Sequence, residues 1–275
     1  IFRNVTYRNM GGGIGSMKKS TAIIEENICF ENYYAGIGHN DASPLVINNV
    51  CHGNVRAGIG ISEHSQPVVR GNRCYQNRRA GIGIRTGAET QPIVEDNDCY
   101  ENEMAGIGNR DNARPIIRGN RCYRNKMAGI GTEEGAAPII RDNHCYKNLM
   151  AGIGNRSGSR PVIVGNESRE NKMAGIGVRS GSVAIIVGNR CIENRLVAIG
   201  LPDGATAHIQ GNELQCTGGG APPLLAVKGG SSAVLVDNSI RGGGVAGVLV
   251  QGTAQISGNR FFGAGGKQGS AIWVW

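Results

Sequence analysis

An asparagine that returns every 22 to 25 residues, a small-Ile-Gly step at a fixed distance behind it, and short apolar runs fenced by turn formers together predict an all-β fold, a parallel β-helix solenoid with three short strands per coil. The asparagines are Asn27, Asn49, Asn72, Asn97, Asn120, Asn143, Asn166 and Asn189. Each stands ten residues before the isoleucine of a step such as Gly36-Ile37-Gly38 or Ala198-Ile199-Gly200. A unit of that length cannot bury its apolar side chains alone, so it must stack on its neighbours.

The strands of one unit are runs such as Pro115-Ile116-Ile117-Arg118, Asn120-Arg121-Cys122-Tyr123 and Ala128-Gly129-Ile130-Gly131. Runs this short between Gly, Asn and Asp are too short for helices and suit strands. Helical repeats would need two long runs at 3.6 spacing and leucine-rich repeats regularly placed leucines; the sequence has neither. The asparagine recurs because backbone groups turn inward at a coil corner, where stacked Asn side chains can bond their own turn and one another. A second row, Asn32, Asn54, Asn77, Asn102, Asn125, Asn148, Asn171 and Asn194, marks the next corner. Length varies only between the isoleucine and the next asparagine, at 12, 13 or 15 residues, so one loop, such as Gly87 to Gln91, absorbs every insertion. Asn4, Asn212, Asn238 and Asn259 extend the series to about twelve coils of about 23 residues, a rod of roughly 55 Å at the strand spacing. Beyond Cys216 the repeat weakens, with glycine runs at Gly218–Gly220 and Gly242–Gly244. Leu225-Ala226-Val227, Val248-Leu249-Val250 and Ile272-Trp273-Val274 still read as strands.

Residues 1–275 therefore form one domain, regular over 1–216 and degenerate over 217–275. The sequence opens inside a coil and without Met, as expected of a portion of something longer, and it holds no apolar run that could span a membrane. It assigns no compartment.

Cys29, Cys51, Cys74, Cys99, Cys122, Cys145 and Cys191 share one position, with Ser168 in the single gap. Alternation points them inward as a stack of small hydrophobes. Neighbours about 4.8 Å apart with parallel Cβ vectors suit neither a disulfide nor a tetrahedral metal site, so buried thiols are expected, with no metal and no cofactor.

Three rows face outward or could do so. The residue three after each step isoleucine reads Asn40, Ser62, Arg85, Arg110, Glu133, Arg156, Arg179, Pro202. Arg85, Arg110, Glu133, Arg156 and Arg179 beside a glycine floor make a candidate track for an acidic polysaccharide, because guanidinium pairs carboxylate, sulfate or phosphate in bidentate fashion. The same pattern fits a solvated Arg/Glu ladder. The row Phe30, His52, Tyr75, Tyr100, Tyr123 and Tyr146 is read as structural cross-coil stacking. Leu45, Val68, Ile93, Ile116, Ile139, Val162 and Ile185 are core if inward. If outward, they are a packing stripe for a protein partner or for self-association. Met104, Met127, Met150 and Met173, one per coil, are read as packing. The five histidines fall at different coil positions. The net charge of +8 favours an anionic partner, but basic residues spread over several faces and nucleic acid is not expected.

The unit pattern Pro-x-Ile-x-Gly-Asn-x-Cys-Tyr-x-Asn-x-x-Ala-Gly-Ile-Gly resembles the right-handed parallel β-helix repeats of the carbohydrate-binding and sugar-hydrolase group, which includes pectate-lyase-like enzymes, NosD-type copper-site maturation proteins and the substrate-binding region of an F-box protein. The resemblance implies a right-handed coil and a glycan-related function, one scaffold hosting many activities. The Asn-Thr-Asp and Asp-Asp pairs of the hydrolases, and the Asp-Pro-His-Asp motif of alginate-epimerase-like members, do not occur in this sequence. For a lyase or hydrolase the candidates are Glu133, Arg110, Arg156 and Asp111. The expectation is a non-catalytic extended glycan-binding scaffold. The alternatives are a polysaccharide lyase or glycoside hydrolase, which needs carboxylates converging near Glu133, and a protein-interaction scaffold, which needs an uncovered aliphatic stripe.

Overall fold

The computed structural model describes residues 1–217, 222–264 and 269–275. The expected run Gly218–Gly220 lies outside them. The strands fall into three parallel sheets that the chain visits in fixed order. A cysteine sheet of twelve strands runs from Val5–Tyr7 to Arg260–Phe262, a glycine sheet of twelve from Ile14–Met17 to Ser270–Val274, and an aliphatic sheet of eleven from Ile23–Glu25 to Thr253–Ser257. Eleven full coils and the start of a twelfth result, among the described residues. Among the described residues, no helix is long and apolar enough to cross a membrane.

Register is strict. Cys74, Cys99, Cys122 and Cys145 pair in succession, as do Ile82, Ile107, Ile130 and Ile153. The longer loop through Gly87 leaves the pairing on either side of it unshifted.

Each sheet sends one row inward. Val69, Val94, Ile117 and Ile140 meet the cysteines and the step isoleucines in a core with no solvent exposure at these positions. Each buried Ile contributes about 1.5–3 kcal/mol. The thiols are reduced along the ladder, and burial pushes the Cys99 and Cys122 thiols well above their usual range and Cys191 up to about 12. Ser168, at the vacant ladder position, donates to the Gly175 carbonyl at 2.8 Å.

The corners explain the asparagines. The residue before each is in the left-handed region, as at Asp96 (φ 55°), Gly119 (φ 66°) and Asp142 (φ 57°) before the first row, and Glu101 (φ 55°) and Arg124 (φ 54°) before the second. Gly, Asp and Asn tolerate that conformation and Glu and Arg less so, so the Asn behind them must hold the turn. Asn120 does so with its backbone N–H on Asn143 Oδ1 (2.9 Å) and its Nδ2 on Val94 O (2.9 Å), Arg118 O (3.0 Å) and Asn143 Oδ1 (2.9 Å). In the second row Asn125 repeats the device, its Nδ2 reaching the Cys99 carbonyl at 3.0 Å.

The first glycine of each step is a steric requirement. A Cβ at Gly106 or Gly129 would stand 2.7–2.8 Å from the next coil's carbonyl oxygen and 2.8–2.9 Å from an asparagine Nδ2.

Candidate functional site

The outward row after the step isoleucine is a continuous ladder. The N–H of Arg110 bonds Ile84 O (3.1 Å), that of Glu133 bonds Asn109 O (3.1 Å), that of Arg156 bonds Thr132 O (2.9 Å) and that of Arg179 bonds Asn155 O (3.0 Å). Glu133, Arg156 and Arg179 form one wall of a trough of about 470 Å³ on the glycine sheet. Its floor is Gly108, Gly131, Gly154, Gly177 and Gly200. Its opposite wall is Met104, Met127, Met150, Met173 and Leu196, and Pro222, Pro223 and Lys228 stand at one end. Arg85 and Arg110 belong to the row but not to the trough lining.

The floor glycines other than Gly200, where a Cβ would meet Val197 Cγ2 at 2.9 Å, answer no demand of the fold, unlike the first glycines. None has a positive φ, and a Cβ on Gly83, Gly108, Gly131 or Gly154 would meet nothing closer than an alanine methyl at 3.5–3.6 Å. Glycine weakens a strand interior, so a row of fold-neutral glycines marks a surface kept bare for close approach.

The row carries less free positive charge than its four arginines suggest. Glu133 accepts from Arg156 Nε at 2.7 Å and lies 2.5 Å from its Nη2, while Arg110 Nε is 3.7 Å from Asp111 Oδ2. Arg85 and Arg179 have no ion-pair partner among the described residues. Of the candidate acid–base set, the structure joins Glu133 to Arg156 and Arg110 to Asp111. It adds Glu134, whose carboxyl is raised above the usual carboxylate range by its hydrogen bond with Asp111, then by desolvation and by the Asp111 charge.

Beneath the floor the core turns polar. Where other coils have Ile61, Ile84, Val178 and Leu201, the inward residues are Asn109, Thr132 and Asn155, all buried. Asn109 Nδ2 donates to Gly131 O (2.9 Å) and Asn155 Nδ2 to Gly177 O (3.0 Å), while both Oδ1 atoms lack a partner. A Gly-Asn pair after an isoleucine looks like turn chemistry in sequence, which hid this polar stack. The methionines, read as packing, stand instead on the trough wall, with Met104 and Met173 exposed.

The remaining rows settle by parity. Tyr7, Phe30, His52, Tyr75, Tyr100, Tyr123 and Tyr146 form one outward stack on the cysteine sheet, with centroids 4.8–5.1 Å apart and planes within 9°. Arg73 and Arg121 reach the Tyr100 and Tyr146 hydroxyls. Leu45 to Ile185 faces outward: Ile139 and Ile185 are exposed while Ile140 and Ile186, their chain neighbours, are the core. Among the described residues, there is no group of three or more His, Cys, Asp and Glu that could hold a metal ion.

A right-handed solenoid with a groove along one sheet defines the class, and the comparisons give the family. The right-handed β-helix region matches residues 1–111 and 83–214, so the chain belongs to that family. No curated protein matches the sequence. Among solved structures it is similar to the A-module of the Azotobacter vinelandii mannuronan C-5 epimerase AlgE6 (12% identity, TM-score 0.59, covering 97% of this chain and 84% of that one). It is also similar to the periplasmic alginate epimerase AlgG (14%, TM-score 0.55, 98% and 76%). The Dettilon tailspike protein gp208 is a third (17%, TM-score 0.57, 94% and 61%). At these identities the likeness is one of fold.

Proposed function

We propose that the protein is a non-catalytic, extended glycan-binding scaffold whose ligand lies in the glycine-floored trough, with acidic groups directed to Arg179 and Lys228 towards one end. The carrying observation is the row of floor glycines from Gly108 to Gly177 that neither backbone conformation nor packing requires. The coil repeat of about 4.8 Å supports the reading, since it matches a sugar residue to each coil. Two solved structures of like fold bear the names of a mannuronan C-5 epimerase and an alginate epimerase, which points to the same ligand class.

The test uses floor substitutions the fold should accept. Gly131→Ala/Gly154→Ala keeps its melting temperature, because each new Cβ meets only ordinary contacts. The same variant loses at least tenfold in affinity on a panel of alginate, polygalacturonate and neutral polysaccharides measured by calorimetry. Binding equal to that of the parent would remove the trough from consideration.

The raised carboxyl of Glu134 beside Asp111 favours a second reading, a lyase or hydrolase, since acid–base chemistry draws on a carboxyl held above its usual range. In that case unsaturated or reducing ends appear in the same assay and Asp111→Asn abolishes them.

A further inference from the structure

The rows that wall the trough change chemistry where they run back past the start of its lining. The wall that precedes each step is one stack: Arg56 N–H bonds Tyr34 O (3.3 Å), Arg79 N–H bonds Arg56 O (3.3 Å), Met104 N–H bonds Arg79 O (3.4 Å) and Met127 N–H bonds Met104 O (3.3 Å). Guanidinium side chains therefore give way to thioethers at Met104. Before the trough lining begins, in the coils of Gly60 and Gly83, the same two rows hold Arg56 and Arg79 on one side and Arg85 on the other. Arg56 lies 4.3 Å over the Tyr34 ring, and none of the three has an ion-pair partner among the described residues. From Met104 onward the wall is methionine and leucine, and the facing Arg156 is neutralised by Glu133.

A fully ionised acidic polysaccharide would bring a carboxylate to nearly every coil. Against Met127 and Met150 those charges would lose water without gaining a partner, which is costly. Flexible, polarizable methionine instead suits small apolar groups of varied position.

We propose that the trough, together with the arginine-flanked coils that precede it, selects an acidic glycan whose acid groups are partly masked by small apolar substituents, methyl esters or O-acetyl groups, with free acids meeting Arg56, Arg79 and Arg85 before the trough and the masked stretch lying on its methionine wall. This deepens the glycan-binding reading and rests on it.

The experiment compares polygalacturonate at graded methyl esterification, and each other acidic polymer of the panel before and after O-acetylation, against the whole chain and two double variants. Partly esterified polymer binds at least tenfold more tightly than fully ionised polymer. Met127→Gln/Met150→Gln erases that preference while still binding ionised polymer, and Arg79→Ala/Arg85→Ala weakens both and flattens the salt dependence. All four positions are on the outer surface, and melting temperature checks each fold. Fully ionised polymer bound as tightly as masked polymer, or a preference that survives the methionine change, overturns the inference and leaves the glycan reading standing. Failure of every polymer to bind removes both.

Discussion

Among single residues, His39 is the most sensitive reporter of the core. It is buried in the inward row of the glycine sheet, paired in register with Ser16 and Ile61, and its Nδ1 lies 2.7 Å from Ser16 Oγ while Nε2 has no partner. Burial lowers it from 6.5 to about 4, since a charged imidazole there would be stripped of water. Because the folded value is the depressed one, the stabilisation is complete above pH 6.5 and is lost as pH falls towards 4. It amounts to roughly 3 kcal/mol from that difference. Urea titrations at pH 7.5 and pH 4.5 should show this loss in the parent and much less of it in His39→Gln, which keeps an acceptor for Ser16 but does not titrate. Equal acid sensitivity in the variant would place the effect elsewhere. Nothing in the sequence marked His39, because Gly38-His39-Asn40 reads as a polar loop until the strand is known to send its third residue inward.

Each coil corner works as an element built around one amide. Replacing Asn120 by Ala would remove the Nδ2 donor shared by the Val94 and Arg118 carbonyls and leave the buried Asn97 N–H without its acceptor, although Asn97 Nδ2 keeps Val69 O and Glu95 O and Arg118 O keeps the Asp96 N–H. At about 1–3 kcal/mol for the abandoned N–H and about 1 kcal/mol for the bonds lost around it, Asn120→Ala should cost about 2 to 4 kcal/mol. Asn259→Ala, at a half-buried corner, should cost clearly less, and chemical denaturation of the two variants makes the comparison. These elements were legible because corner chemistry and period are written in residue types that have few other uses. The sidedness of Leu45 to Ile185 was not, since Pro-Ile-Ile-Arg is apolar at two successive positions and alternation alone cannot choose between them. Nor was the role of the methionines. A thioether once per coil fits a core row as well as a wall, and only the position of the neighbouring glycines separates the two. Arg56 and Arg79 escaped notice for a related reason: the row they open changes residue type at Met104, so it does not look like one row.

For the whole molecule, stability should be a sum over coils and the contacts between adjacent ones. Deleting residues 130–152 joins Gly129 to Ile153 and so restores the Gly-Ile step across the junction. The shortened chain should fold into the same β-rich rod, with a trough one coil shorter and weaker binding to long polymers. Deleting residues 130–140 instead breaks register and should abolish cooperative melting. Circular dichroism and thermal melts decide, and collapse of both deletions alike would contradict nearest-neighbour stability.

The asparagine stack also gives the rod a sense of direction. Every ladder amide in the first row hands its N–H to the coil that follows and receives on its oxygen from the coil before, as Asn97, Asn120 and Asn143 do in turn. Their dipoles therefore point the same way along the axis and polarise one another, whereas the strand dipoles, lying across the axis, add little to that field. A sugar chain is itself directional, with one reducing and one non-reducing terminus. A directional polymer laid beside such an array would meet different fields in its two orientations.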